Sequence, residues 1–170
     1  MTKNNILVES DYVQTPEWCA EDIMTYFAPT GKILDPCRGL NKVFHNIMPE
    51  DADWCEIQEG KNFFDYQEKV DWIIGNPPYS IFHEWMEHSF EIADNIVYLV
   101  PTFKIFNALG LCRMYRQNGR IKHIRFYDTG KKIEWSRSRP IVAVWFQKNY
   151  LSYTSWSYYE EGKRLFKKSC

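Results

Sequence analysis

The sequence predicts an α/β fold: an open twisted sheet with helices on both faces. Two observations carry the prediction. Along the 170 residues, short apolar runs of strand type alternate with segments of helical periodicity. This is the pattern of a largely parallel sheet. The most distinctive residues also fall where those strands end, and open α/β sheets bind ligands at the carboxyl ends of their strands.

The elements follow in order. Thr15-Pro16 reads as a helix cap with proline at the first helical position. Ala20, Ile23, Met24 and Phe27 then recur at i, i+3, i+4 and i+7, and Pro29-Thr30-Gly31 ends the helix. Lys32-Ile33-Leu34 is a short strand running into Asp35-Pro36-Cys37-Arg38-Gly39. Leu40, Val43, Phe44 and Ile47 repeat the helical spacing, and Pro49 stops it. A second strand is expected around 52–57 and a third near Phe63-Phe64. Val70–Ile74 is a buried-type strand that ends at Gly75-Asn76-Pro77-Pro78-Tyr79. Ser80 is placed to cap a helix from Ile81 to about Ala93. Asn95–Val100 is another apolar strand, closed by Pro101. Helical sequence runs on to about Gln117. Two β-rich segments, Ile121–Phe126 and Ile141–Gln147, enclose the polar, basic stretch Asp128–Arg139.

Composition narrows the class. With 45% hydrophobic and 25% charged residues, the chain is an ordinary globular one, and its length predicts a single domain. No apolar run reaches the roughly 18 residues of a membrane span, and the N-terminus has no signal-peptide pattern. No membrane partner is expected. Cys19, Cys37, Cys55, Cys112 and Cys170 are odd in number and include no C-x-x-C pair. They predict reduced thiols in a cytoplasmic protein, with no disulfide framework and no metal site. The formal net charge of −1 conceals a split: residues 1–100 carry 6 Lys+Arg against 18 Asp+Glu, and residues 101–170 carry 15 against 4. Such asymmetry points to nucleic acid, or to two halves that pair their charges within one fold.

Asn76-Pro77-Pro78-Tyr79 is the sharpest chemical signal. Two prolines fix two backbone angles and remove two amide donors. They would hold the Asn76 side-chain oxygen and the Pro77 carbonyl as fixed acceptors beside the flat ring of Tyr79. Two acceptors next to an aromatic plane suit a planar group that bears an exocyclic amine. The same dipeptides also read as a proline-stiffened loop.

Asn-Pro-Pro-Tyr after an apolar strand resembles the catalytic motif of S-adenosylmethionine-dependent methyltransferases that modify adenine at its exocyclic amino group. The resemblance spans residues 12–148, and its size and motif order are similar to the small phage-type members. It implies a Rossmann-like class I methyltransferase fold and S-adenosylmethionine as cofactor, with Asn76, Pro77, Pro78 and Tyr79 catalytic. By that resemblance Asp35, Pro36, Cys37 and Gly39 form the cofactor turn, with Arg38 and Leu40 standing where small residues are usual. Glu56 lies 21 residues past Asp35, the place of a ribose-binding acid. It reads equally as a solvated acid at a strand end. Asn62 and Phe63 resemble the next motif, with Asn62 in place of the usual Asp; Phe63 reads equally as core. Thr15 and Pro16 are similar to the motif over the cofactor's carboxylate, and serve equally as a helix cap.

DNA is the implied partner, with RNA the alternative, in a bacterial or phage-infected cytoplasm. Lys131, Lys132, Arg137 and Arg139, with Trp135 among them, suit phosphate contact and base stacking. Residues 151–170 form a basic, aromatic tail. No segment is left for a separate target-recognition domain, so short-site specificity, a partner subunit or a homodimer is expected. A protein-glutamine methyltransferase and a non-catalytic nucleic-acid-binding subunit are the rival functions.

Overall fold

The computed structural model describes residues 13–129 and 140–160. Among these residues, seven strands form one sheet: β1 (Ile33–Asp35), β2 (Asp53–Trp54), β3 (Val70–Gly75), β4 (Ala93–Pro101), β5 (Gly119–Thr129), β6 (Pro140–Lys148) and β7 (Ser155–Tyr158). Their spatial order is β2-β1-β3-β4-β6-β5-β7. The first four in space run parallel, β6 runs antiparallel to both of its neighbours, and β7 is parallel to β5. The helices are α1 (Glu17–Phe27), α2 (Phe82–Ile92), α3 (Thr102–Ile105) and α4 (Ala108–Arg116).

Alternation along the strands divides the core into two layers. Ile33, Trp72, Ile74, Val97, Leu99 and Ala143 pack with Cys19, Ala20, Ile23 and Phe27 of α1. Leu34, Ile73, Ile96, Tyr98, Val142 and Val144 pack with Trp85, Met86 and Phe90 of α2 and Met114 of α4. The central strands are apolar on both faces because helices cover both. No helix among the described residues is long and apolar enough to cross a membrane.

Several local expectations are corrected. The cap of α1 is Pro16, in extended conformation and with no side-chain capping bond; Thr15 lines a cleft at the sheet edge instead. Residues 40–47 form turns and one short 3-10 helix, His45–Ile47, not an α-helix. Gly39 and Lys42 both adopt positive φ, +64° and +53°, which interrupts a right-handed helix before it can propagate. Phe63–Asp65 is a 3-10 turn, not a strand, because the Asn62 side chain accepts from the Phe64 amide and starts a helical turn. Helix α2 begins at Phe82 with Ile81 as its cap and no side-chain capping bond. Strand β7 lies within the segment read as a tail. The basic residues Lys131, Lys132, Arg137 and Arg139 lie outside the described residues.

Candidate active site

A cleft opens across the carboxyl ends of β1, β2 and β3. Its walls come from the 13–15 segment, the turn after β1, the segment after β2 and the start of α2. Thr15, Pro36, Cys37, Gly39, Glu56, Asn62, Phe63, Asn76 and Pro78 all line it. Pro16, Asp35, Pro77 and Tyr79 are not part of this lining. Val13, Phe44, Ile81 and Trp85, which the sequence does not single out as site residues, line it too. The periodicity of Val43 and Phe44, which has the spacing of a helix face, is the available signal for Phe44.

The turn after β1 is held from three sides. The Asp35 carbonyl accepts from the Cys55 amide at 2.8 Å, and the Arg38 amide donates to the Cys55 carbonyl at 3.1 Å. The Gly39 amide donates to Glu56 Oε2 at 2.9 Å. Gly39 can take its left-handed φ because it lacks a side chain, and the space where a Cβ would stand is open. Glu56 Oε1 accepts from the Gln58 amide at 3.1 Å. Glu56 therefore ties two loops together at the cleft rim, and each of its oxygens keeps a second lone pair.

Asp35 is 1% exposed. Its Oδ1 accepts from the Cys37 amide at 3.2 Å, and its Oδ2 has no hydrogen-bond partner. Burial raises its pKa to about 7, against the opposing Cys37 amide and with help from the negative charge of Glu56. A buried acid without a full set of partners is costly to keep ionised, and a cationic ligand would relieve that cost.

Arg38 lies flat on the Trp54 ring, its guanidinium carbon 3.2 Å from the ring centroid. It pairs with Glu59, while Lys61 covers Trp54 at 3.6 Å. Arg38 also lines the cleft. Phe63 is 2% exposed and packs on Trp85 with ring centroids 4.4 Å apart. It is both core and cleft wall.

Asn76 joins the walls. Its Nδ2 donates to the Val13 carbonyl at 2.9 Å, and its Oδ1 accepts from the Tyr79 hydroxyl at 2.7 Å. Its backbone carbonyl accepts from the Cys37 thiol at 3.1 Å. Pro77 and Pro78 are buried and Tyr79 is half-buried against the α2 layer of the core. The Asn76–Tyr79 turn thus stands between the cleft on one side and the end of β4 on the other.

Neither a family model nor a curated protein sequence matches the chain. Solved structures do match, at the level of fold. A candidate class I S-adenosylmethionine-dependent methyltransferase from Listeria monocytogenes is 11% identical, with a TM-score of 0.63 over 89% of this chain and 67% of that one. The modification subunit of a candidate type I restriction enzyme from Vibrio vulnificus is 12% identical, with a TM-score of 0.58 over 92% of this chain and 49% of that one. A candidate RNA methyltransferase from Pyrococcus horikoshii is 13% identical, with a TM-score of 0.54 over 78% of this chain and 80% of that one. The chain spans about half the length of the restriction-enzyme subunit it matches.

Proposed function

Starting from the class I methyltransferase fold, we propose that this chain transfers a methyl group from S-adenosylmethionine to the exocyclic amino group of adenine in DNA. The observation that carries it is the anchoring of Asn76. Three hydrogen bonds hold it at the boundary between the cleft and the end of β4.

The residues present fit the cofactor. Its cationic end suits the buried, incompletely partnered Asp35. Its ribose hydroxyls suit the lone pairs left on Glu56, and its base suits the apolar wall around Phe63, with the Asn62 oxygen as acceptor. The N-terminus of α1, just after Thr15 and Pro16, suits its carboxylate. When bound, the cofactor supplies an electrophilic methyl group.

The protein's part is acceptor placement. An aromatic amine shares its lone pair with its ring and is a poor nucleophile. The Asn76 oxygen and the Pro77 carbonyl would accept its hydrogens and localise that lone pair on nitrogen. Tyr79 would offer a ring face to the base. No strong base is needed before attack, because positioning carries the effect. Reaching an adenine inside a duplex requires extruding it.

DNA is supported by the basic second half and by likeness to a restriction-modification subunit. Likeness to a candidate RNA methyltransferase favours RNA as the second reading. A partner subunit or a second copy would supply specificity.

The test is transfer of a labelled methyl group to duplex DNA, single-stranded DNA and RNA, each with and without adenine, by wild type and Asn76→Ala. Incorporation confined to adenine-containing DNA and lost in the variant is the expected result. Equal incorporation by both proteins sinks the role of Asn76, and preference for RNA selects the second reading.

A further inference from the structure

Helix α3 follows β4 directly, and none of its residues lines the cleft. β4 pairs with β3 in parallel, with Gly75 opposite Tyr98. The Tyr79 hydroxyl, whose one proton also faces Asn76 Oδ1 at 2.7 Å, lies 3.2 Å from the Leu99 carbonyl. The catalytic turn therefore lies over the end of β4, only a few residues before α3 begins.

On α3, Phe103 is 46% exposed and Phe106, at its C-terminal cap, is 58% exposed. Residues three apart share a helix face, so both rings look outward from one turn. Ile105, between them, is 3% exposed and anchors that turn in the core. Asn107 stiffens it: Nδ2 donates to the Lys104 carbonyl at 3.0 Å, and Oδ1 accepts from the Gly110 amide at 2.8 Å. Lys104 places its ammonium group 5.4 Å from the Phe103 ring centroid. Residues 101–129 carry six Lys+Arg and one acid, Asp128; Arg113 is paired with Glu84 and Glu87 of α2 and Arg125 with Asp22 of α1, while Lys104 stands beside the rings.

We infer that Phe103 and Phe106, with Lys104 between them, form a stacking lip for an unpaired stretch of nucleic acid beside the target base. The choice of nucleic acid rests on the proposed function and deepens it. A base taken out of a stack leaves its neighbours without stacking partners. Two preorganised rings with a cation between them offer replacement faces and a phosphate contact. Their position, next to the catalytic turn but outside the cofactor cleft, is where those neighbours would run.

The test uses an adenine-free probe, labelled oligothymidylate, titrated with the full chain and read by fluorescence anisotropy. The double variant Phe103→Ala/Phe106→Ala is expected to bind at least about tenfold more weakly. The double variant to Tyr should bind as wild type does. S-adenosylhomocysteine affinity, measured by calorimetry, should be equal in all three, which shows that the fold and cleft are intact. Lys104→Gln should lower the salt dependence of binding. Superimposable titrations of wild type and the Ala variant, with the cleft intact, overturn the inference. So does a wild-type dimer in sedimentation that the Ala substitutions dissociate, since the rings would then serve a second copy. Ring-dependent oligothymidylate binding without methyl transfer to adenine leaves the lip standing and overturns the adenine assignment.

Discussion

The Tyr79 hydroxyl donates to the Asn76 carboxamide oxygen at 2.7 Å. One lone pair of the proposed amine acceptor is therefore engaged before any substrate arrives. Tyr79→Phe keeps the ring and removes this bond. It should cost about 1 kcal/mol of stability, read as a lower thermal midpoint, with cofactor affinity unchanged.

Asn76→Asp tests the other side of the same group. It keeps an acceptor but loses the donor that holds the Val13 carbonyl. Losing that tie loosens the 13–15 wall of the cleft. Calorimetry with S-adenosylhomocysteine should show roughly tenfold weaker binding, a loss that Tyr79→Phe does not share.

Asp35 should leave a signature in pH. Its pKa is raised to about 7 in the folded state by burial, and the unfolded value is about 4. Between those values the folded protein holds a proton that the unfolded chain has released. The contribution of Asp35 to stability is fully present below about pH 4 and is lost as pH rises toward 7, with a slope of up to about 1.4 kcal/mol per pH unit. Asp35→Asn should flatten that segment of a stability-against-pH curve. A cationic ligand favours the ionised carboxyl, so its binding should release a proton below pH 7. Calorimetry in two buffers of different ionisation enthalpy reads that release.

Gly75 is a packing constraint. A Cβ there would stand 3.1 Å from Pro36 Cδ and 3.3 Å from Asp35 Oδ1. Gly75→Ala should push the cofactor turn away from the end of β3. A loss of about 1–3 kcal/mol in urea unfolding is expected, together with weaker cofactor binding.

Replacing Lys131 and Lys132 by Gln should weaken DNA binding across all sequences. The salt slope should fall by about one unit for each phosphate no longer neutralised, as read from titrations at several salt concentrations.

The strands that position the site were legible because they are buried on both faces. Ile73-Ile74 and Ile96–Val100 are continuous apolar runs, which only a covered parallel sheet needs. The turns were less legible because side-chain bonds decide them. Asn62 makes a helical turn of Phe63–Asp65 by accepting from one amide, and nothing in residue spacing announces that. Leu40, Val43 and Phe44 have helical spacing, but Leu40 is 68% exposed and all three line the cleft. Strand β7 carried a readable sign, the period-two alternation Ser155-Trp156-Ser157-Tyr158, which the aromatic and basic composition of the tail obscured. Sequence order brought Asn76, Cys37 and Glu56 to one sheet edge. It gave no indication that Cys37 bonds to the Asn76 carbonyl, or that Glu56 holds Gly39.

Arg125 donates to both oxygens of Asp22, at 2.6 and 2.7 Å, and Tyr127 donates to the same carboxylate at 2.6 Å. These bonds join residues 103 and 105 positions apart. The first helix is sewn to β5 only after most of the chain has been made. A chain severed between β4 and β5 would leave Asp22 on one piece and its guanidinium on the other, and would split the β4–β6 seam as well. Neither fragment would fold alone, and mixing the two should restore a folded complex. The Asp22–Arg125 pair thus makes the acidic part of the chain depend on the basic part.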